Sequence, residues 1–127
     1  MGGITFGSWA ALGSTNQTIS AASSAVFGTV DNAGKIATEV SVQLTHNASA
    51  VKGASLQIER DIDGANFEGE SSAPWTTPLP FAAGATRERA ISVPADMIGK
   101  FRVRLVNLDT GQAITACTVR TRQATYA

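Results

Sequence analysis

The chain has 127 residues, enough for one domain with its own core and too few for several. Ten lysines and arginines balance ten aspartates and glutamates, and a chain without net charge is not a general nucleic-acid binder, which would be basic overall. One cysteine excludes an intramolecular disulfide, one histidine beside it excludes a zinc site of soft ligands, and no run approaches the ~18 apolar residues of a membrane span.

Charged residues make up 16% of the chain, below the usual ~25%, and Thr, Ser, Ala and Gly fill the gap. That composition suits strands, turns and surfaces that are meant to be covered. Met1-Gly2-Gly3 lacks the basic start and apolar run of a signal peptide, so the expectation is a protein made and kept in a cytoplasm.

Residues 1–34 are low in charge, with Phe6, Trp9, Leu12, Ile19, Val26 and Phe27 scattered through them without a clear period. They read as an edge segment of the domain or as an extended arm, with one short strand around Thr15 to Ala21. An arm would use Phe6 and Trp9 as anchors on a neighbour. The domain proper is expected over 35–127. Ile36, Thr38, Val40, Val42 and Leu44 alternate with Ala37, Glu39, Ser41, Gln43 and Thr45, a strand with one face in the core. A turn region follows from His46-Asn47 to Gly53. The next strand, 54–60, places Leu56 and Ile58 inward and Gln57 and Glu59 outward. It ends at Asp63-Gly64, a strong turn signal, and Phe67 begins the return.

Pro74, Pro78 and Pro80 exclude a central strand over 73–84, which reads as a long ordered loop holding Trp75, Leu79 and Phe81. A short strand over 86–93 carries Ile91 and Val93 inward. Pro94 to Gly99 suits one helical turn. The last quarter reads as a β-hairpin: Phe101, Val103 and Leu105 alternate with Lys100, Arg102 and Arg104, and Gln112 to Gln123 returns after Asp109-Thr110-Gly111. A three-residue loop with Gly111 left-handed sets Phe101 opposite Val119, Val103 opposite Cys117 and Leu105 opposite Thr115. Arg102, Arg104, Arg120 and Arg122 then share the outer face, which is expected to be a polar contact surface. The fold class is all-β: an antiparallel β-sandwich, jelly-roll or immunoglobulin-like, of about seven or eight strands with little helix.

Enzyme signatures are missing. His46 sits in a polar turn and no Gly-x-Ser-x-Gly elbow accompanies it. Cys117 is expected inward as a small hydrophobe. Asp61-Ile62-Asp63-Gly64-Ala65-Asn66 has some calcium-loop spacing without the full twelve-residue pattern, and Asp and Asn in a hairpin serve the turn backbone. No metal and no cofactor is therefore assigned. Trp9, Trp75, Phe67 and Phe81 offer a sugar-stacking platform if they converge, and otherwise belong to the core. Acidic residues cluster in 59–70 and basic ones in the C-terminal third, a layout compatible with head-to-tail self-association or docking on a patterned protein surface.

Two stretches carry a resemblance. Leu56-Gln57-Ile58-Glu59-Arg60-Asp61-Ile62-Asp63-Gly64-Ala65-Asn66-Phe67 resembles the strand–turn–strand of small β-sandwich proteins from tailed bacteriophage virions. Ile91-Ser92-Val93-Pro94 through Phe101-Arg102-Val103-Arg104-Leu105 resembles their closing strands. With the last hairpin, the resemblance covers roughly the C-terminal 70 residues. It implies a non-enzymatic structural component of a virion, made in the host cytoplasm: a capsid decoration (cement) protein, or a neck or tail part. The implied partner is the major capsid protein or another virion protein, together with self-association, and neither nucleic acid nor membrane is contacted directly. The rival reading is a carbohydrate-binding β-sandwich module using Trp75 and the acidic loop.

Overall fold

The computed structural model describes residues 3–70, 75–96 and 98–126. Its ten strands are β1 (Ile4–Phe6), β2 (Ala10–Ala11), β3 (Gln17–Ile19), β4 (Ser24–Asp31), β5 (Ala37–Thr45), β6 (Ala54–Arg60), β7 (Trp75–Pro78), β8 (Thr86–Pro94), β9 (Lys100–Asn107) and β10 (Ile114–Tyr126). They form two antiparallel sheets packed as a sandwich, with no helix among the described residues. The six-stranded sheet runs β1-β10-β5-β8, with β2 and β3 also on β10, and the four-stranded sheet runs β4-β9-β6-β7.

β5 keeps its alternation without a break: Thr38, Val40, Val42 and Leu44 are buried, and the odd-numbered positions are half-buried. Val40, Val42 and Leu44 meet Leu56 and Ile58 of β6 and Phe101, Val103 and Leu105 of β9 across the sandwich. Each such side chain contributes roughly 1.5–3 kcal/mol by leaving water.

Strands outnumber the seven or eight expected because residues 4–19 are three short strands in succession along one side of β10. Phe6 lies opposite Ala124, Ala11 opposite Arg120 and Ile19 opposite Ile114. The chain then crosses to β4 at the edge of the other sheet, where Phe27 and Val30 enter the core. The described part of segment 1–34 thus supplies edge strands to both sheets. Gly13, in the turn between β2 and β3, lets that segment pass close against β4: its φ is +74°, and an added Cβ would meet the Phe27 carbonyl oxygen at 2.2 Å.

The expected final hairpin does not form. β9 pairs with β4 and β6, whereas β10 pairs with β5. The connection is an arch between the sheets, and Phe101 and Val119 face each other's sheet instead of pairing. Two polar side chains hold this arch. Asp109 Oδ1 accepts from the backbone N–H of Gly111 and Gln112, and Oδ2 accepts from Val51 and Lys52. Asn107 Nδ2 donates to the carbonyls of Ile19, Ser20 and Gln112. Gly111 is not left-handed. A bulge at Ala116, with φ 51°, shifts the phase of β10, so Ile114 is buried and Thr115, expected opposite inward Leu105, is exposed.

Two other segments differ. Trp75–Pro78, read as loop, is a short strand on β6, tolerated because it lies at a sheet edge where proline's missing N–H faces outward. After β8, Ile98 N–H returns to the Pro94 carbonyl, closing a single turn. Pro74 of the proline-rich segment and Met97 of this turn lie outside the described residues.

Candidate protein-contact surface

Phe6, Trp9 and Arg122, far apart in sequence, converge on the outer face of the six-stranded sheet. The Arg122 guanidinium lies 4.5 Å from the Phe6 ring centroid and 4.8 Å from that of Trp9. Its Nε donates to Glu39 Oε1 at 2.6 Å, from the neighbouring strand where the two residues are opposite. A planar cation between two rings and a carboxylate has few rotamers left, so the cluster is rigid before anything binds it. Phe6 remains 50% exposed and Trp9 39%. Ile4 and Tyr126, opposite each other on β1 and β10, extend the apolar surface beside them. Arg120 is exposed on the same face and makes no ion pair among the described residues.

Arg102 and Arg104 do not share this face. They sit on β9, on the outside of the four-stranded sheet, and their partner is Glu59 of β6. Arg102 Nε reaches Glu59 Oε1 at 2.5 Å and Arg104 Nε reaches Oε2 at 2.7 Å. Glu59, expected to be solvated, is completely buried. The segment after Asp61 folds over it: Phe67 stacks on Arg102, whose guanidinium also donates to the Glu68 carbonyl. Arg104 continues outward through Ser24 Oγ to Glu70. The four arginines expected together are therefore split two and two between opposite faces, because the arch replaces the hairpin.

The acidic segment is occupied by its own chain. Asp61 caps Gly64 N–H, and Asp63 accepts from the backbone of Ala65 and Asn66 and from the Asn66 side chain. These bonds, the Asn66 side chain first, hold the Asp63 carboxyl below the ordinary value. Arg60 does the same for Glu68, and Glu68 in turn raises Arg60. No three His, Cys, Asp or Glu side chains converge as metal ligands among the described residues. His46, read as a turn residue, is buried: its Nε2 meets the Pro80 carbonyl at 3.0 Å and its ring packs edge-on against Phe81. Cys117 is buried, and burial pushes its thiol up to about 11. The four aromatics considered as a platform have separate partners: Trp9 on Arg122, Phe67 on Arg102, Phe81 on His46, and Trp75 against the core.

Glu39, Ile4 and Tyr126 were not singled out in the sequence. Glu39 was legible only as an outward strand position, and its pairing with Arg122 depends on which strand neighbours β5.

These sheets and surfaces define an all-β sandwich domain with an exposed aromatic–arginine cluster. No protein-family profile and no curated protein matches the chain. Several solved structures share the fold. VP2 of the infectious bursal disease virus subviral particle matches with a TM-score of 0.54 and 6% identity, over 94% of this chain and 32% of that one. BuGH86, solved in complex with neoagarooctaose, matches with a TM-score of 0.57 and 14% identity, over 98% of this chain and 19% of its own. Dimeric latent PorU from Porphyromonas gingivalis gives 0.51 and 12%, over 98% and 13%. The chain spans less than a third of each of these proteins, and at such identities the likeness is one of fold.

Proposed function

We propose that this chain is a non-enzymatic structural protein of a virion that binds and stabilises a repeated protein assembly, as a capsid decoration (cement) protein. The observation that carries the reading is the Phe6–Arg122–Trp9 cluster: two half-exposed aromatics locked around a neutralised arginine, with Arg120 beside them. Rigid aromatics and arginine are the residue types that dominate protein contact energies. The sandwich fold shared with part of a virus particle protein is compatible with this role. A protein that binds only the assembled shell raises the shell's stability by mass action.

The test is co-sedimentation with assembled capsids of the virus that encodes the chain, against unassembled capsid protein. Binding to the shell alone, a raised shell melting temperature, and loss of both in Trp9→Ala support the reading. Equal binding to unassembled subunits, or none to either, overturns it. Sedimentation with tails instead would move the protein to the neck or tail. The carbohydrate-module alternative is less favoured because Trp75 packs against the core and the acidic loop's carboxylates are taken by the loop itself.

A further inference from the structure

The sandwich has four sheet edges, and three are blocked. β8 carries Arg87, Glu88 and Arg89, all exposed, and ends in Pro94. β7 ends in Pro78, whose carbonyl receives Arg89. β4 is covered over its second half by the Leu12 side chain on Gly28, by Gly13 against Phe27, and by Gln123, which donates to the Asp31 carbonyl. Charge, proline and covering segments are the usual devices that keep a sheet from growing.

On the fourth edge, which β1, β2 and β3 share, β1 shows none of these among the described residues. Gly7 N–H bonds the Gln123 carbonyl, which makes Thr5 and Thr125 the hydrogen-bonded pair and turns the backbone of Ile4 and Phe6 away from β10. Neither finds a backbone partner on the far side among the described residues. The two residues are 59% and 50% exposed, and Tyr126 beside Ile4 is 80% exposed.

We infer that the β1 edge pairs with the β1 edge of a second copy of this chain, joining two six-stranded sheets across a two-fold axis. With Thr5 facing Thr5 of the second copy, Ile4 lies opposite the second copy's Phe6, and the edge-directed groups of both residues bond in both directions. The contact is isologous, and each side presents what the other needs. No charge opposes another, since β1 has none. Its three residues limit the backbone pairing to four hydrogen bonds, so Ile4, Phe6 and Tyr126 supply the rest. With three strand residues a side, the contact falls at the small end of specific interfaces. The dimer is therefore concentration-dependent. Pairing in the sheet plane continues the outer face from one copy to the next, so the two aromatic–arginine clusters lie side by side on one surface. This inference needs only the edge geometry and does not rest on the capsid reading.

The experiment is sedimentation equilibrium of the full chain across concentration. A monomer–dimer equilibrium is expected. Ile4→Pro removes an edge N–H and no bond within the chain, and should weaken association roughly tenfold or more with the circular dichroism unchanged. Ile4→Lys gives the same reading if the proline variant misfolds. Amide exchange adds a direct view: Ile4 and Phe6 become protected as concentration rises. A wild-type chain that stays monomeric, or a folded Ile4 variant that dimerises as before, overturns the inference. Capsid binding is scored separately with Trp9→Ala, so the two readings fail independently.

Discussion

Arg104 lies against Glu59 across neighbouring strands, Nε to Oε2 at 2.7 Å, on a sheet face from which the carboxylate is wholly withdrawn. A second arginine, Arg102, holds the other oxygen. The carboxylate tolerates burial only because both its oxygens are met by charged donors. Glu59→Ala leaves two cations facing each other under the 61–70 segment, and such half-broken pairs typically lose about 3 kcal/mol or more. A urea titration would read this as a lower midpoint. An unchanged midpoint would mean that water reaches both guanidinium groups and replaces the carboxylate.

Arg122 is held by geometry as much as by charge. Arg122→Lys keeps the cation but loses the plane that stacks between Phe6 and Trp9, and is expected to cost about 1 kcal/mol. In a Trp75→Phe background the emission of Trp9 should shift to the red as its ring loosens. No shift would show that the ring is held by something other than the arginine.

Asp109 sets an acid limit on the fold. Four backbone N–H groups, that of Val51 first, depress its carboxyl from 3.8 to about 2. A depressed carboxyl contributes stability that is fully present above its unfolded value and is lost as pH falls through the folded one. Thermal stability should therefore drop between pH 3.8 and about 2. Asp109→Asn should flatten that part of the curve, and a variant with the same acid slope as wild type would show that other carboxylates set it.

Two glycines with the same backbone angle should respond differently. Gly13 and Gly34 have φ of +74° and +75°, but a Cβ at Gly13 collides with the Phe27 carbonyl while one at Gly34 meets nothing within 4 Å. Gly34→Ala should lose about 1 kcal/mol from left-handed strain alone. Gly13→Ala should lose at least twice that, or displace the segment from β4. Equal melting temperatures for the two would refute the close approach.

Cys117 should be silent toward thiol reagents at pH 8 in the folded protein, since it is buried and its thiol is pushed up to about 11. Reaction should appear only with unfolding, at the rate of unfolding. A fast native reaction would place the sulfur at the surface.

Much of the strand content was legible because alternation is a direct record of burial. β5 follows its pattern from Thr38 to Leu44, with Ile36 half-buried just before the strand, and the inward sets of β6 and β9 are those the sequence implies. Glu59 was not legible, because an outward position says nothing of what later folds over it. Phe6, Trp9 and Arg122 were each singled out, yet their contact follows from β1 and β2 lying along β10, a pairing that no local pattern states.

Local pattern was enough for the all-β class, for the main strands of the second half apart from β7, and for the inward faces of β5, β6 and β9. Period-two patterning encodes a face, and the face is a local property of the chain. Which strands became neighbours was settled by contacts between distant segments. Phe101 and Val119 are equally buried whether they pair in one sheet or meet across two, so alternation cannot separate a hairpin from an arch. The choice was made by Asp109 and Asn107, whose side chains bind backbone from distant segments and so act only once those segments have come together.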